Sequence, residues 1–383
     1  MLTVETYKSR ECEAIAGLPN RVVEMVQAVV FSTTGYPTRV KSDAELWKYL
    51  DVMHETRFER DFANLIGGGV TDHEFNLLKQ IAALAFQFSV EQFGRNLTSR
   101  GSLLRALHVY RHISDIFQGS PARVFEIGPG SGYLGCLFLL NGWGYGSTDI
   151  AQAFYLLQNR LWNYATPGRV RELAEESTWD ATIPMGTAVH IPWWEFYRLL
   201  DRGVPSVDVV TCNHALAEMH PNSLSFTLLL ARKMLQGSGI KAFIFEGWGY
   251  ELLVPRSTTT EQFYKFGFRL VHNDEKITVF VPDDNENSVP SAPIPKRFTR
   301  RWFVSGIKKR LGLTTAGSSR YLPPEFKSHN PISQLILSGR DRRSAQSMIG
   351  LDQVNGFYKN LLGSDDLLTP DEQFLKVIGK HYY

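Results

Sequence analysis

A chain of 383 residues, 43 % hydrophobic and 21 % charged, with a formal net charge of +2, has room for two or three domains and an extensive core. So even a balance of charge excludes a global pull toward nucleic acid, and no apolar run approaches the roughly 20 residues of a membrane span. Cys12, Cys136 and Cys212 lie too far apart for a disulfide framework or zinc-type spacing, and the N-terminus mixes acids, lysine and arginine where a signal peptide needs an apolar stretch, so the expected location is the reducing cytoplasm.

Residues 1–120 carry much helical period and little strand signal. Residues 21–31 (RVVEMVQAVVF) place apolar side chains on one broad helical face, and Ser42 with Glu45 opens another helix ahead of Leu46, Trp47 and Leu50. After the break at Gly67, Gly68 and Gly69, Thr71 and Glu74 have capping-box spacing before Phe75, Leu77, Leu78 and Ile81. Residues 100–117 form a further amphipathic helix. The region reads as a helical packing layer or as a cap over a site, in which case Arg100, Arg105 and His108 face a polar or anionic substrate.

From Ala122 the pattern changes to strands alternating with helices. The runs 124–127, 144–149, 187–192, 207–212 and 241–246 predict five strands, with helices over 133–140, 151–164, 193–201 and 224–235 between them. Residues 269–271 and 277–281 predict a terminal antiparallel pair. The expected class is α/β, a doubly wound and mostly parallel seven-stranded sheet, with ligands bound at the carboxyl ends of its strands.

The most informative stretch is 124–135, VFEIGPGSGYLG. A strand carrying one acid, Glu126, empties into Gly128, Gly130 and Gly132 and then into a helix. Bare backbone in such a turn can approach a nucleotide-like ligand closely. A phosphate-binding P-loop needs a lysine at its end, and a dinucleotide loop needs glycine where Tyr133 stands. An acid two residues ahead of the first glycine repels a pyrophosphate but suits a cationic ligand. Asp149, ending the next strand, can accept both hydroxyls of a ribose. The combination fits S-adenosyl-L-methionine, a nucleoside carrying an amino acid and a positive charge.

These residues resemble the first two motifs of class I S-adenosylmethionine-dependent methyltransferases, and the strand alternation with its final antiparallel pair is similar to their Rossmann-like fold. The resemblance covers residues 100–282. It implies that Glu126, Gly128, Gly130 and Gly132 hold the methionine portion, that Asp149 holds the ribose, and that the segment 207–220 (VDVVTCNHALAEMH) borders cofactor and substrate through Asn213 and His214. Asn213 followed by Glu218 and Met219 is similar to bacterial sugar O-methyltransferases. That implies O-methylation of a sugar or polysaccharide precursor. The rival readings are methyl transfer to nitrogen or carbon of another small molecule, and a non-catalytic binding or scaffold module. The adenine-side acid that many relatives carry after the third strand has no clear counterpart; Glu195 and Asp180 are the candidates, and Trp193 or Trp194 either stacks on adenine or starts a packed helix.

Methyl transfer to a hydroxyl needs a base for its proton. His214 is best placed, with a structural or cofactor-packing role as the alternative. Glu218 is the second candidate, as base, sugar-hydroxyl ligand or helix N-terminal acid. His190 and His220 rank lower, Asp208 lies at the structural end of its strand, and Glu246 ends the fifth strand where substrate could meet it. No compact carboxylate cluster predicts a metal. The expected organisation is a helical region 1–120, a cofactor-binding domain 121–283, a linker 284–295 and a C-terminal extension 296–383. Residues 296–311 (KRFTRRWFVSGIKKRL) carry seven basic residues and no acid. They read as a docked helix with a solvated basic face, or as a contact for an anionic membrane or polyanion. The tail beyond them completes the globule or a homo-oligomer interface. The expected partner is a saccharide or other small acceptor, with no nucleic acid.

Overall fold

The computed structural model describes residues 1–20, 22–23, 39–47, 66, 69–98, 100–176, 178–247, 256–274, 276–283, 326–327 and 330–362. The expected helix at 21–31 lies largely outside this set. So do the linker 284–295, the basic segment 296–311, Trp248 and the tail after 362.

Eleven α-helices and nine strands occur among the described residues. Helices α1 (Val4–Ala16), α2 (Asp72–Phe93) and α3 (Arg100–Ile116) precede strand β1 (Arg123–Ile127). Then follow α4 (Tyr133–Leu140), β2 (Gly144–Thr148), α5 (Gln152–Ala165), β3 (Val170–Glu172) and β4 (Ala188–His190). Two short helices, α6 (Trp193–Phe196) and α7 (Leu199–Arg202), lead to β5 (Val209–Thr211). The domain closes with α8 (Pro221–Met234), β6 (Ala242–Phe245), α9 (Arg256–Lys265), β7 (Phe268–Asn273) and β8 (Thr278–Pro282). Strand β9 (Phe326–Lys327) and helices α10 (Pro331–Ser344) and α11 (Leu351–Leu362) come last.

The sheet order is β3-β4-β2-β1-β5-β6-β8-β7-β9. The first six strands in that order are parallel and the last three add antiparallel. The expected seven strands are therefore nine. The additions are the edge strands β3 and β9, three and two residues long, which are too short to leave a period-2 pattern. β3 arises in the stretch between the helix predicted over 151–164 and the strand predicted over 187–192, and β9 brings the C-terminal extension onto the sheet. Strand order reverses between β1 and β5, which opens the crevice where doubly wound sheets bind ligands.

The sheet is apolar on both faces, and consecutive residues feed opposite cores. Val124, Tyr145, Val209 and Ile244 face the layer of α2, α3 and α4. Phe125, Val189, Val210 and Phe243 face α8 and α9. Burying one Phe or Ile side chain is worth about 1.5–3 kcal/mol, so a one-residue slip of any central strand would be prohibitive. Gly146 sits in this packing, since a Cβ there would lie 2.5 Å from Ile183 and 2.7 Å from Phe125. The capping box of α2 is present as expected: Glu74 N–H donates to Thr71 Oγ1 at 3.2 Å and Thr71 N–H to Glu74 Oε2 at 2.9 Å. Glu74 also anchors α3 through the buried Arg111, at 2.7 Å. A third core joins α1 to α5 and α6 through Leu2, Val4, Tyr7, Tyr155, Trp193 and Trp194. No helix among the described residues is long and apolar enough to cross a membrane.

Candidate active site

The glycine loop leaves β1 as a left-handed staircase: Gly128, Gly130 and Gly132 have φ of +71°, +57° and +76°. Only glycine adopts that region without cost at three alternate positions. The loop is held from several sides. Gly128 N–H donates to Thr148 O at 2.9 Å, Gln158 Nε2 to Gly130 O at 2.9 Å, and Trp162 Nε1 to Gly132 O at 2.8 Å. The helix after the loop packs as closely as its glycine allows, since a Cβ on Gly135 would sit 2.7 Å from Tyr145.

Two acids flank this loop. Asp149, just past β2, accepts from Ala151 N–H at 2.9 Å, Gln158 Nε2 at 2.9 Å and Gly130 N–H at 3.3 Å. Burial raises its pKa, and those donors pull the other way. Glu126 is buried at the end of β1. Tyr145 Oη donates to it at 2.6 Å and Asn213 Nδ2 at 3.4 Å. Burial pushes its pKa up to about 7, because both donors are neutral and Asp149 adds repulsion. Ser147 stands beside Glu126 in the β1–β2 register, and its hydroxyl is buried with no hydrogen-bond partner among the described residues.

Across the crevice a second constellation gathers around the ends of β5 and β6. Asn213, just past β5, accepts from Glu246 N–H at 3.0 Å while its amide reaches Glu126. His214 adopts φ +57°, one of two non-glycine residues with positive φ among the described residues. Such conformations persist where surroundings over-determine them, and they cluster at functional sites. Here His214 N–H donates to Gly247 O at 3.1 Å and its Nε2 meets the Glu246 carboxylate. Gly247 is the permissive neighbour, since a Cβ there would lie 2.1 Å from His214 Cε1. Arg105, from α3, approaches the same carboxylate oxygen at 3.5 Å. Burial alone would raise the Glu246 pKa, but His214 and Arg105 outweigh it and hold the carboxyl at about 2.

Of the residues singled out from sequence, Glu126, the three glycines, Asp149, Asn213 and His214 line this one crevice. Glu218, itself half-buried, ends a 3-10 turn, Leu216–Glu218, ahead of α8. Glu246 is the residue whose role sequence reading underrated. Its signal was only a position at a strand end, and its partnership with His214 spans 32 residues. Arg105 reaches the Glu246 carboxylate. His108 does not, being buried against Lys276 O at 2.8 Å with its pKa lowered to about 4 by burial. Nothing is described of the Arg100 side chain.

Other candidates serve the scaffold. His190 is fully buried, stacked 3.6 Å from Tyr155, with Nδ1 on Glu172 at 2.9 Å and Nε2 on Gln158 at 3.3 Å. His220 caps α8 by accepting from Asn222 N–H at 3.1 Å. Trp193 and Trp194 pack on α1: Trp193 Nε1 donates to Glu11 at 2.7 Å, and Trp194 lies edge-on to Tyr7 at 5.0 Å. Glu195 is taken by Arg198 and Arg202, at 2.9 and 2.8 Å, and the exposed Asp180 caps Thr182 at 2.8 Å. Neither acid points to an adenine role. Asp208 ties Arg123 N–H and Lys241 together at the far end of the sheet. No group of three metal-binding side chains occurs among the described residues.

No protein-family model matches this chain, and no curated protein matches it. Among solved structures it is similar to the O-methyltransferase TomG from Streptomyces achromogenes, involved in tomaymycin synthesis and in complex with SAM. The identity is 12 %, over 60 % of this chain and 97 % of that one, with a TM-score of 0.34. It is also similar to magnesium protoporphyrin IX methyltransferase from Synechocystis PCC 6803 with bound SAM, at 12 % identity over 55 % of this chain and 98 % of that one, TM-score 0.31. A third likeness is to MtNAS in complex with MTA and tNA, at 13 % identity over 55 % of this chain and 69 % of that one, TM-score 0.33. These likenesses are distant, and the reading of function rests on the crevice itself.

Proposed function

We propose that the chain is an S-adenosyl-L-methionine-dependent methyltransferase that methylates a hydroxyl, on a sugar or polysaccharide precursor. Residues 121–283 form its catalytic unit and residues 1–120 its cap. The observation that carries this reading is the bridge made by Asn213. It bonds the Glu126 carboxylate on the cradle side and the Glu246 backbone on the other, so a proton-accepting histidine stands beside a nucleoside-type cradle.

The residues fit the cofactor. Glu126, with its pKa near 7, becomes fully ionised once an ammonium group lies against it. Asp149 presents carboxylate oxygens one strand away, and the unpartnered Ser147 hydroxyl stands beside Glu126 in the strand register. When bound, S-adenosylmethionine supplies a methyl group on a sulfonium, an electrophile that needs no metal. His214 Nε2 lies against the Glu246 carboxylate, a contact that would orient the imidazole as proton acceptor. An acceptor hydroxyl held against His214 would give its proton to the imidazole as its oxygen takes the methyl group, the methyl–sulfur bond breaking and S-adenosylhomocysteine leaving. Glu246 stabilises the imidazolium that results, and Arg105 holds Glu246 in place. In this reading Glu218, at the end of the turn that follows His214, would accept from further hydroxyls of the acceptor.

Calorimetry with S-adenosylhomocysteine tests the cradle: binding that is lost in Asp149→Ala supports it, and binding indifferent to that change would sink it. Transfer of a labelled methyl group to a panel of saccharide hydroxyls tests the acceptor. Transfer to amines alone would overturn the oxygen assignment.

A further inference from the structure

The parallel pairing of β5 with β6 ends at Thr211 and Ile244, and two residues further on Asn213 reaches Glu246 through its side chain. In place of a main-chain carbonyl, Asn213 Oδ1 accepts from Glu246 N–H at 3.0 Å. The other end of the same amide points back to the cradle, where Nδ2 donates to Thr211 Oγ1 at 3.1 Å and to Glu126 Oε1 at 3.4 Å. These neighbours fix which way the amide faces. Glu246 N–H can only donate, so turning the amide over would set donor against donor there. Beyond the amide, His214 N–H donates to Gly247 O at 3.1 Å and the imidazole meets the Glu246 carboxylate. One planar amide therefore stands between the acid of the cradle and the acid that holds the proposed base.

Its two contacts are unequal. The bond to Glu246 has ordinary length, while 3.4 Å to Glu126 is long for an N–H···O bond. Glu126 is buried among neutral donors, and that burial disfavours its charge. A cation against Glu126 would restore the full negative charge, and hydrogen bonds to a charged oxygen are shorter and about twice as strong as neutral ones. The amide is rigid, so drawing Nδ2 toward Glu126 turns Oδ1, and the Glu246 N–H bonded to it, in the same movement.

We infer that Asn213 is a positioning residue that sets the Glu246–His214 pair in response to the amino-acid end of the cofactor at Glu126, so that the base is placed after the methyl donor has bound. The inference rests on the methyl-donor reading above and adds an order of assembly to that site.

Nuclear magnetic resonance of the His214 ring C–H groups, identified by their loss in His214→Ala, tests the link with two probes. These are S-adenosylhomocysteine and 5′-methylthioadenosine, which lacks the amino-acid end. In the wild type, saturating S-adenosylhomocysteine should shift the His214 resonances and methylthioadenosine should leave them in place. Asn213→Ala should bind S-adenosylhomocysteine about three- to tenfold more weakly, the worth of one hydrogen bond, and at saturation the shift should be lost. Glu126→Gln keeps Asn213 but offers it no charge; it should lose the shift as well, and it decides the matter if Asn213→Ala does not fold. A shift retained in either variant at saturation, or an equal shift from both probes, overturns the inference and leaves the methyl-donor reading standing. So does a wild type that binds S-adenosylhomocysteine without any shift. Failure of the wild type to bind either probe removes the reading on which the inference rests.

Discussion

Glu126 and Glu246 end strands β1 and β6, on either side of β5, and both are buried at 3 % and 8 % exposure. Burial pushes each carboxyl upward, yet one rests at about 7 and the other at about 2. Their neighbours make the difference. Glu126 is surrounded by the neutral donors Tyr145 and Asn213 and by the like charge of Asp149. Glu246 has His214 and Arg105 already against it. One acid is therefore incomplete without a cation from outside, and the other is satisfied by the protein. In the proposed methyltransferase that contrast would separate a ligand-holding carboxylate from a positioning one, although the two are joined through a single asparagine.

The largest expected effect lies on the satisfied side. His214→Ala should lower kcat by about 10²–10⁴, the usual contribution of a positioned base, while S-adenosylhomocysteine binding measured by calorimetry stays unchanged. Retained turnover would move the proton acceptor elsewhere, with Glu218 next to be tested. Glu246→Gln should follow with a kcat loss on the order of 10², because the imidazolium loses its counter-charge. Gly247→Ala comes third. Its new Cβ would lie 2.1 Å from the imidazole, and its φ of +68° is itself unfavourable to alanine. A kcat reduction of about tenfold with cofactor affinity unaffected is expected, since a misplaced base loses much of its contribution. Parallel weakening of cofactor binding would mean that the loop serves the cradle instead.

On the incomplete side the signature is pH. If only the carboxylate form of Glu126 pairs with the ligand's ammonium, affinity should rise about tenfold between pH 6 and 8, with proton release on binding at pH 6. Glu126→Gln should abolish both, as read by calorimetry in buffers of different ionisation heat. The stability consequences have opposite signs. Glu126 has a folded pKa above its ordinary 4.5, so its contribution to stability falls as pH rises from 4.5 through 7. A shift of that size corresponds to about 3 kcal/mol at most. Glu246 has a folded pKa below 4.5, so its contribution is present above 4.5 and is lost as pH falls toward 2. Thermal unfolding of Glu126→Gln should therefore gain on the wild type from pH 5 to pH 8, and a flat difference would contradict the contrast.

The two sides also differ in how legible they were. The cradle could be read residue by residue, because a strand, a glycine turn and a helix set their own geometry within the 24 positions from 126 to 149. His214 was placed by the rule that sites lie at carboxyl ends of strands, but its partner Glu246, and the Arg105 that meets Glu246, come from a strand end and a helix 32 and 109 positions away. Trp193 or Trp194 read either as stacking on adenine or as the start of a packed helix, and Glu195 as one candidate for the adenine-side acid. The packed helix is what forms: α1 claims the tryptophans and Arg198 and Arg202 claim Glu195, pairings that no local pattern announces.

Strand alternation, the glycine staircase and the acids at 126 and 149 are properties of short-range backbone geometry and hydrophobic period, and the amino-acid order alone determines them. Tertiary structure decided which buried carboxylate gains charged neighbours, which histidine is locked into the core, and that helix α1 packs against α5 and α6. Those outcomes depend on desolvation and on partners distant in the chain. A side chain's chemistry is set by what folding brings against it, and the residues beside it in the sequence do not reveal that.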